Sequence, residues 1–154
     1  MKSTLVLGIG NLLMGDEGIG VHIVREMEKE NNVSADILDG GTGGFHLLGY
    51  FQQYRRVILV DATIDGKPAG TVSVIYPRYS SDYPPTLTAH DIGLKDLLDA
   101  LYLLNSQPEI ILIAVSIEKP EGLATSLSPK IRKAVAPAMR EIKNHLNKFS
   151  TGHE

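Results

Sequence analysis

Residues 4–27, TLVLGIGNLLMGDEGIGVHIVREM, decide the fold. Thr4 to Gly8 is a short, continuous apolar run, the pattern of a strand buried on both faces. A glycine-rich loop follows, and Val21, Ile23, Val24 and Met27 then fall at helical spacing, marking a helix expected to end near Asn31–Asn32. A buried strand handed through a glycine loop to an amphipathic helix is the first half of a β-α-β unit.

The chain beyond repeats this alternation. Ala35 to Leu38 reads as a second strand, stopped by Asp39-Gly40-Gly41-Thr42-Gly43-Gly44, and a helix carries Phe45, Leu47, Leu48 and Phe51. Val57 to Val60 is a third buried strand, expected to end at Asp61. Nine residues separate Asp61 from Thr71. That is too short for a helical crossover, which takes a dozen or more. The strand Thr71 to Tyr76 should therefore run antiparallel and make the sheet mixed. Residues 77–87 read as a long surface loop, of the kind that often carries function. A helix is expected over about Ala89 to Leu104, and a fifth strand over Glu109 to Ser116. Ser128 as N-cap and Pro129 at the first helical position open the last helix, whose face holds Ile131, Val135, Ala138, Met139, Ile142 and Leu146. The reading is of one α/β domain over residues 1–149, with 150–154 as a frayed tail.

Composition narrows the chemistry. The 154 residues are 43% hydrophobic and 21% charged, ordinary for a globular domain. A net charge of -3 lacks the basic excess of nucleic-acid binders, so no nucleic-acid partner is expected. Cysteine is absent, which excludes disulfides, thiolate nucleophiles and cysteine-based metal sites. Met1 leads straight into a strand pattern, and no apolar run approaches the roughly 20 residues of a membrane span. The expected setting is the cytoplasm, without membrane insertion. Catalysis must then rest on carboxylates, histidines, hydroxyls, backbone amides or a bound metal.

Acidic residues gather where strands end: Asp16 and Glu17 after the first, Asp39 after the second, Asp61 after the third. In open α/β sheets, ligands bind in the crevice beyond those carboxyl ends. Crowded carboxylates repel one another, and a cation relieves the repulsion. His90 supplies a nitrogen. Thr88 and Asp91 fit a capping box around it, placing His90 in a first helical turn where the dipole disfavours imidazolium and leaves the neutral, metal-binding form. Glu17, Asp61 and His90 could thus form a three-ligand open site suited to Zn, Ni, Mn or Fe.

Each piece also has a purely structural reading. Glu17 can be a favourable charge at a helix start, Asp61 a turn residue, and His90 a partly exposed first-turn side chain. His22, His46, His145 and His153 read as structural or surface residues. Gly40-Gly41 and Gly43-Gly44 serve equally as a tight turn or as room for a substrate chain. Gly8-Ile9-Gly10 with Asp39 imitates a dinucleotide site, but Leu13 stands where a third glycine or alanine is needed. No Gly-Lys-Ser/Thr triplet and no Gly-x-Ser-x-Gly elbow occurs.

Residues 8–21, GIGNLLMGDEGIGV, resemble the opening signature of the [NiFe]-hydrogenase maturation endopeptidases. The resemblance continues through Leu38-Asp39-Gly40-Gly41-Thr42, Val60-Asp61-Ala62 and His90-Asp91-Ile92-Gly93-Leu94, in the same order over essentially the whole chain. It implies a three-layer α/β/α fold with a mixed, mostly parallel, twisted five-stranded sheet. It implies Glu17, Asp61 and His90 as the catalytic, metal-binding set. From their position beside that set, Asn11, Asp16, Asp39, Gly40, Gly41 and Thr42 are expected near the substrate, with Asn11, Asp16 and Asp39 orienting the loop or the ligands. The activity implied is removal of a C-terminal extension from a hydrogenase large-subunit precursor, by a monomer, after nickel insertion. Nickel supplied by the substrate would be the recognition signal, and the free protein would bind another divalent metal only weakly. A non-cleaving nickel-binding chaperone is the alternative.

Overall fold

The computed structural model of the chain describes residues 2–84 and 92–150. Five strands, β1 (Lys2–Gly8), β2 (Asp36–Asp39), β3 (Tyr54–Thr63), β4 (Val72–Ile75) and β5 (Glu109–Ser116), form one sheet in the order β2-β1-β3-β5-β4. Every neighbouring pair is parallel except β4 with β5. The mixed sheet follows from the short link after β3, as the residue count requires, although β4 lies beside β5 and not beside β3.

The period of two along each strand divides the core. Val6, Ile58, Val60, Ile111 and Ile113 face one layer, built from α1 (Ile19–Glu28), α4 (Pro129–Arg132) and α5 (Val135–Ser150). Leu5, Leu7, Val57, Leu59 and Leu112 face the other, built from α2 (Leu48–Gln53) and α3 (Ile92–Leu103). The result is three layers.

Several boundaries differ from the sequence reading. β3 does not stop before Asp61; it runs on to Thr63, because pairing with Ala114, Val115 and Ser116 continues after β1 has ended opposite Val60. Helix α1 stops at Glu28, short of Asn31. The last helix is two: Pro137 has no N–H for the Lys133 carbonyl, so the chain turns at residues 133–134 and starts again. Ser128 does stand at the N-cap with Pro129 behind it, yet its side chain makes no capping bond. The expected surface loop is pinned in its described part. Asp82 accepts the backbone N–H groups of Arg78 and Tyr79, and Tyr83 is buried in the α3-side core. Its Tyr83 hydroxyl is pushed well above the usual tyrosine range by burial. The expected capping box from Thr88 to Asp91 lies outside the described residues.

Candidate functional site

The loops at the carboxyl edge are sewn to one another by extensions of the sheet ladder. Ile9 N–H donates to the Val60 carbonyl at 2.9 Å, Gly40 N–H to Gly8 at 2.8 Å, and Gly10 N–H to Gly41 at 2.7 Å. The chain after Gly10 drops into a 3-10 turn, Gly15–Gly18, which packs against β3. Glu17 sits in that turn, 9% exposed. Its backbone passes so close to Gly10 that a Cβ there would lie 2.6 Å from the Glu17 carbonyl oxygen. Asp61 is fully buried on β3, one residue past the end of β1, and its Oδ1 accepts the Ala62 N–H at 2.8 Å. The edge thus brings together two buried carboxylates on adjoining elements. His90, the third member of the expected set, lies outside the described residues. Among the described residues, no cluster of three or more His, Cys, Asp and Glu could hold a metal ion. Glu17 and Asp61 are two hard oxygen donors, which fits part of a divalent-metal ligand set.

The other expected site residues have visible local work. Asn11 closes its own loop: its Oδ1 accepts the Leu13 N–H at 3.0 Å and its carbonyl accepts from Met14 at 3.0 Å. Asp16 takes both the N–H and the hydroxyl of Ser128, at 2.7 and 2.8 Å. Asp39 accepts the Gly41 N–H on Oδ1 at 2.9 Å, while Oδ2 accepts from Arg25 at 3.1 and 3.2 Å. Gly41 has φ +59°, and a Cβ there would meet nothing within 4 Å, so its glycine answers to the turn alone. Gly40 is buried under Leu7, whereas Thr42 is exposed.

Two hydroxyls at this edge escape the sequence reading. Thr63 shares the sheet face of Asp61, two residues on, and pairs in register with Ser116. Both are fully buried, and neither hydroxyl oxygen has a hydrogen-bond partner among the described residues. Small polar residues at the ends of two apolar strands are the available signal, and it is a weak one.

His22 lies on the first turns of α1. Its pKa is lowered, chiefly by burial and then by the positive charges of Arg132 and Arg25, against the opposing pull of Asp16 and Glu26. A cavity of about 630 Å³ lies elsewhere, between the end of β4 and the start of β5, lined by Tyr76, Tyr79 and Tyr102 among others. It lies at the opposite edge of the sheet from Asp61.

Residues 21–145 match the family model described as hydrogenase maturation protease. The chain is 33% identical over 144 residues to the hydrogenase 2 maturation protease of Escherichia coli, covering 90% of this chain and 87% of that one. It is also 33% identical over 142 residues to the hydrogenase expression/formation protein HupD of Bradyrhizobium diazoefficiens, covering 88% and 73%. The structure resembles the hydrogenase maturating endopeptidase HybD from E. coli with a TM-score of 0.85 and 32% identity, over 96% of this chain and 93% of that chain.

Proposed function

This chain belongs to the hydrogenase maturation protease family, and from that premise we propose that it removes the C-terminal extension of a hydrogenase large-subunit precursor after nickel insertion. The nickel is part of the substrate. Glu17, Asp61 and His90 are assigned as the residues that bind it and so place the scissile peptide at the carboxyl edge. In the cut the peptide C–N bond breaks, the water oxygen bonds to the carbonyl carbon, and the leaving nitrogen gains a proton. Bound nickel would polarise the carbonyl or the water. The protein's own residues hold the peptide in one place, which converts recognition into proximity.

The observation that carries this reading is the burial of Glu17 and Asp61 on adjoining elements at the edge where open α/β sheets bind ligands. Their carboxylate oxygens are hard donors of the kind a divalent cation takes. Metal dependence then acts as a test of the substrate: a nickel-free precursor lacks the group that the carboxylates hold. The setting proposed is the cytoplasm. Among the described residues, no helix is long and apolar enough to cross a membrane.

The deciding experiment is the intact mass of a cognate precursor, nickel-loaded and nickel-free, before and after incubation with this protein in metal-free buffer. Loss of a C-terminal peptide from the loaded form alone is the expected result. Equal cleavage of both forms would remove nickel recognition from the account. Tight binding of the loaded form with no change in mass would make the protein a chaperone.

A further inference from the structure

The α3 side of the sheet changes character from one row to the next. Leu59 of β3, Leu112 of β5 and Ile75 of β4 lie in register and belong to the α3-side core. Two residues on, the row is Asp61, Ala114 and Ser73, and the row after that pairs Thr63 with Ser116. The backbone of this last pair is engaged. The Thr63 carbonyl accepts the Ile117 N–H at 2.9 Å, the Ser116 carbonyl accepts the Gly70 N–H at 2.8 Å, and the Ser116 N–H donates to the Thr71 carbonyl at 2.9 Å. The hydroxyls beside the pair are engaged as well: Ser73 accepts from Lys67 at 3.1 Å, and Thr71 donates to the Pro68 carbonyl at 2.6 Å. Thr63 Oγ1 and Ser116 Oγ remain, fully buried and without a hydrogen-bond partner among the described residues.

A buried hydroxyl left unbonded costs free energy, whereas valine or alanine would fill the same space without that cost. Thr63 and Ser116 stand on neighbouring strands about 4.8 Å apart, a gap that one water closes with a hydrogen bond to each. Asp61 lies on the same face, about 6.6 Å back along β3, beside the small side chain of Ala114. We propose that Thr63 and Ser116 hold one internal water, and that this water donates to the Asp61 carboxylate and fixes its orientation toward the substrate's nickel. An internal water typically makes about three hydrogen bonds, and these three residues supply them. The direction follows from the chemistry: a metal-ligating carboxylate only accepts, so the water donates to Asp61 and accepts from the two hydroxyls. The Ala62 N–H grips Asp61 Oδ1 from the backbone at 2.8 Å, and the water holds the carboxyl group at a second point. Thr63 and Ser116 are thus positioning residues that act through Asp61. This rests on the endopeptidase reading above for the nickel, and adds what keeps one of its ligands still.

The test uses the full chain with Thr63→Val, Ser116→Ala, the two combined, and Thr63→Ser, which keeps the hydroxyl. High-resolution crystal structures of the native protein and the variants read the water and the Asp61 side chain. Cleavage of the nickel-loaded cognate precursor gives kcat and KM, and urea midpoints give stability. The native crystal should show one water within hydrogen-bond reach of Thr63 Oγ1, Ser116 Oγ and an Asp61 carboxylate oxygen, and Thr63→Val should lose it. Thr63→Val and Ser116→Ala should each lower kcat about tenfold at unchanged KM, the scale of losing a hydrogen bond behind a metal ligand. The double variant should be no slower than either single one, since both remove the same water. Thr63→Ser should cut as the native protein does. Urea midpoints should hold, because each change exchanges a buried hydroxyl for an apolar group of similar shape. If Thr63→Val does not fold, Ser116→Ala carries the same comparison. A native crystal with no water between the two hydroxyls would overturn the proposal, and so would native kcat in both single variants. A loss in Thr63→Ser equal to that in Thr63→Val would overturn it too. If the native protein binds the precursor without cutting it, the endopeptidase reading falls and the crystals decide the rest. An Asp61 side chain that turns when the water is lost keeps the proposal, and an unmoved one overturns it.

Discussion

Asp16 grips Ser128 with both carboxylate oxygens, one on the backbone N–H at 2.7 Å and one on the hydroxyl at 2.8 Å. The contact joins the loop after β1 to the start of α4. It also turns the Ser128 hydroxyl toward a carboxylate from elsewhere, and the Ser128 side chain makes no capping bond to α4.

Asp16→Ala should therefore cost about 1 kcal/mol of stability, the usual loss for a helix cap. Urea unfolding midpoints measure it. Substrate affinity should fall only as far as the loop loosens. A variant of native stability with a large rise in KM would make Asp16 a substrate-binding residue instead.

This pairing shows where sequence reading runs out. β1, β3 and β5 are legible because strands covered on both faces are apolar runs. The antiparallel β4 is legible because a nine-residue link cannot cross the sheet. The end of β3 is not, because it depends on how far β5 extends beyond β1. The break before Val135 is masked by an apolar face that keeps its phase across it, from Ile131 to Ala138 and Ile142. Glu17 and Asp61 stand out as acids at strand ends. Asp16 stands out equally, yet its partner lies 112 residues away, which no local pattern records. Leu13 argues against a dinucleotide loop on sight, but the pairing of Thr63 with Ser116 is visible only in the fold.

Gly20 carries the close contact that the dinucleotide pattern seeks at position 13. A Cβ on Gly20 would stand 2.3 Å from both the Ile9 and Val60 carbonyl oxygens. Gly→Ala inside a helix ordinarily gains about 0.5–1 kcal/mol. Here the backbone of two strand ends would have to move, at a cost of about 3 kcal/mol. Gly20→Ala should thus destabilise on balance in denaturant titration. A stabilised variant would show that α1 can lift off the sheet freely.

His22 should make stability depend on acid. Its pKa in the folded chain is lowered, so the unfolded chain binds the proton more readily. Stability from this residue is present above the unfolded value of about 6.5 and is lost as pH falls below it, levelling off below the folded value. His22→Gln should reduce the fall in urea midpoint between about pH 7.5 and pH 5.5. An identical fall in the variant would place the sensitivity in other groups.

The two buried carboxylates should differ from Asp16 in what they cost. Asp61→Asn keeps an oxygen for the Ala62 N–H at 2.8 Å while removing the charge, and Glu17→Gln does the same kind of exchange in the 3-10 turn. Both replace a buried carboxyl group by an amide of the same shape, so neither should unfold the protein. Both should abolish metal-dependent cleavage, by on the order of 100-fold or more, since a bound ion supplies several kcal/mol of charge stabilisation in the transition state. Nickel titration followed by calorimetry, with thermal unfolding alongside, separates the possibilities. Lost binding and lost cleavage at native stability would mark both as ligands. A large drop in melting temperature with retained binding would instead make the buried acids supports of the carboxyl edge, leaving the metal to other groups.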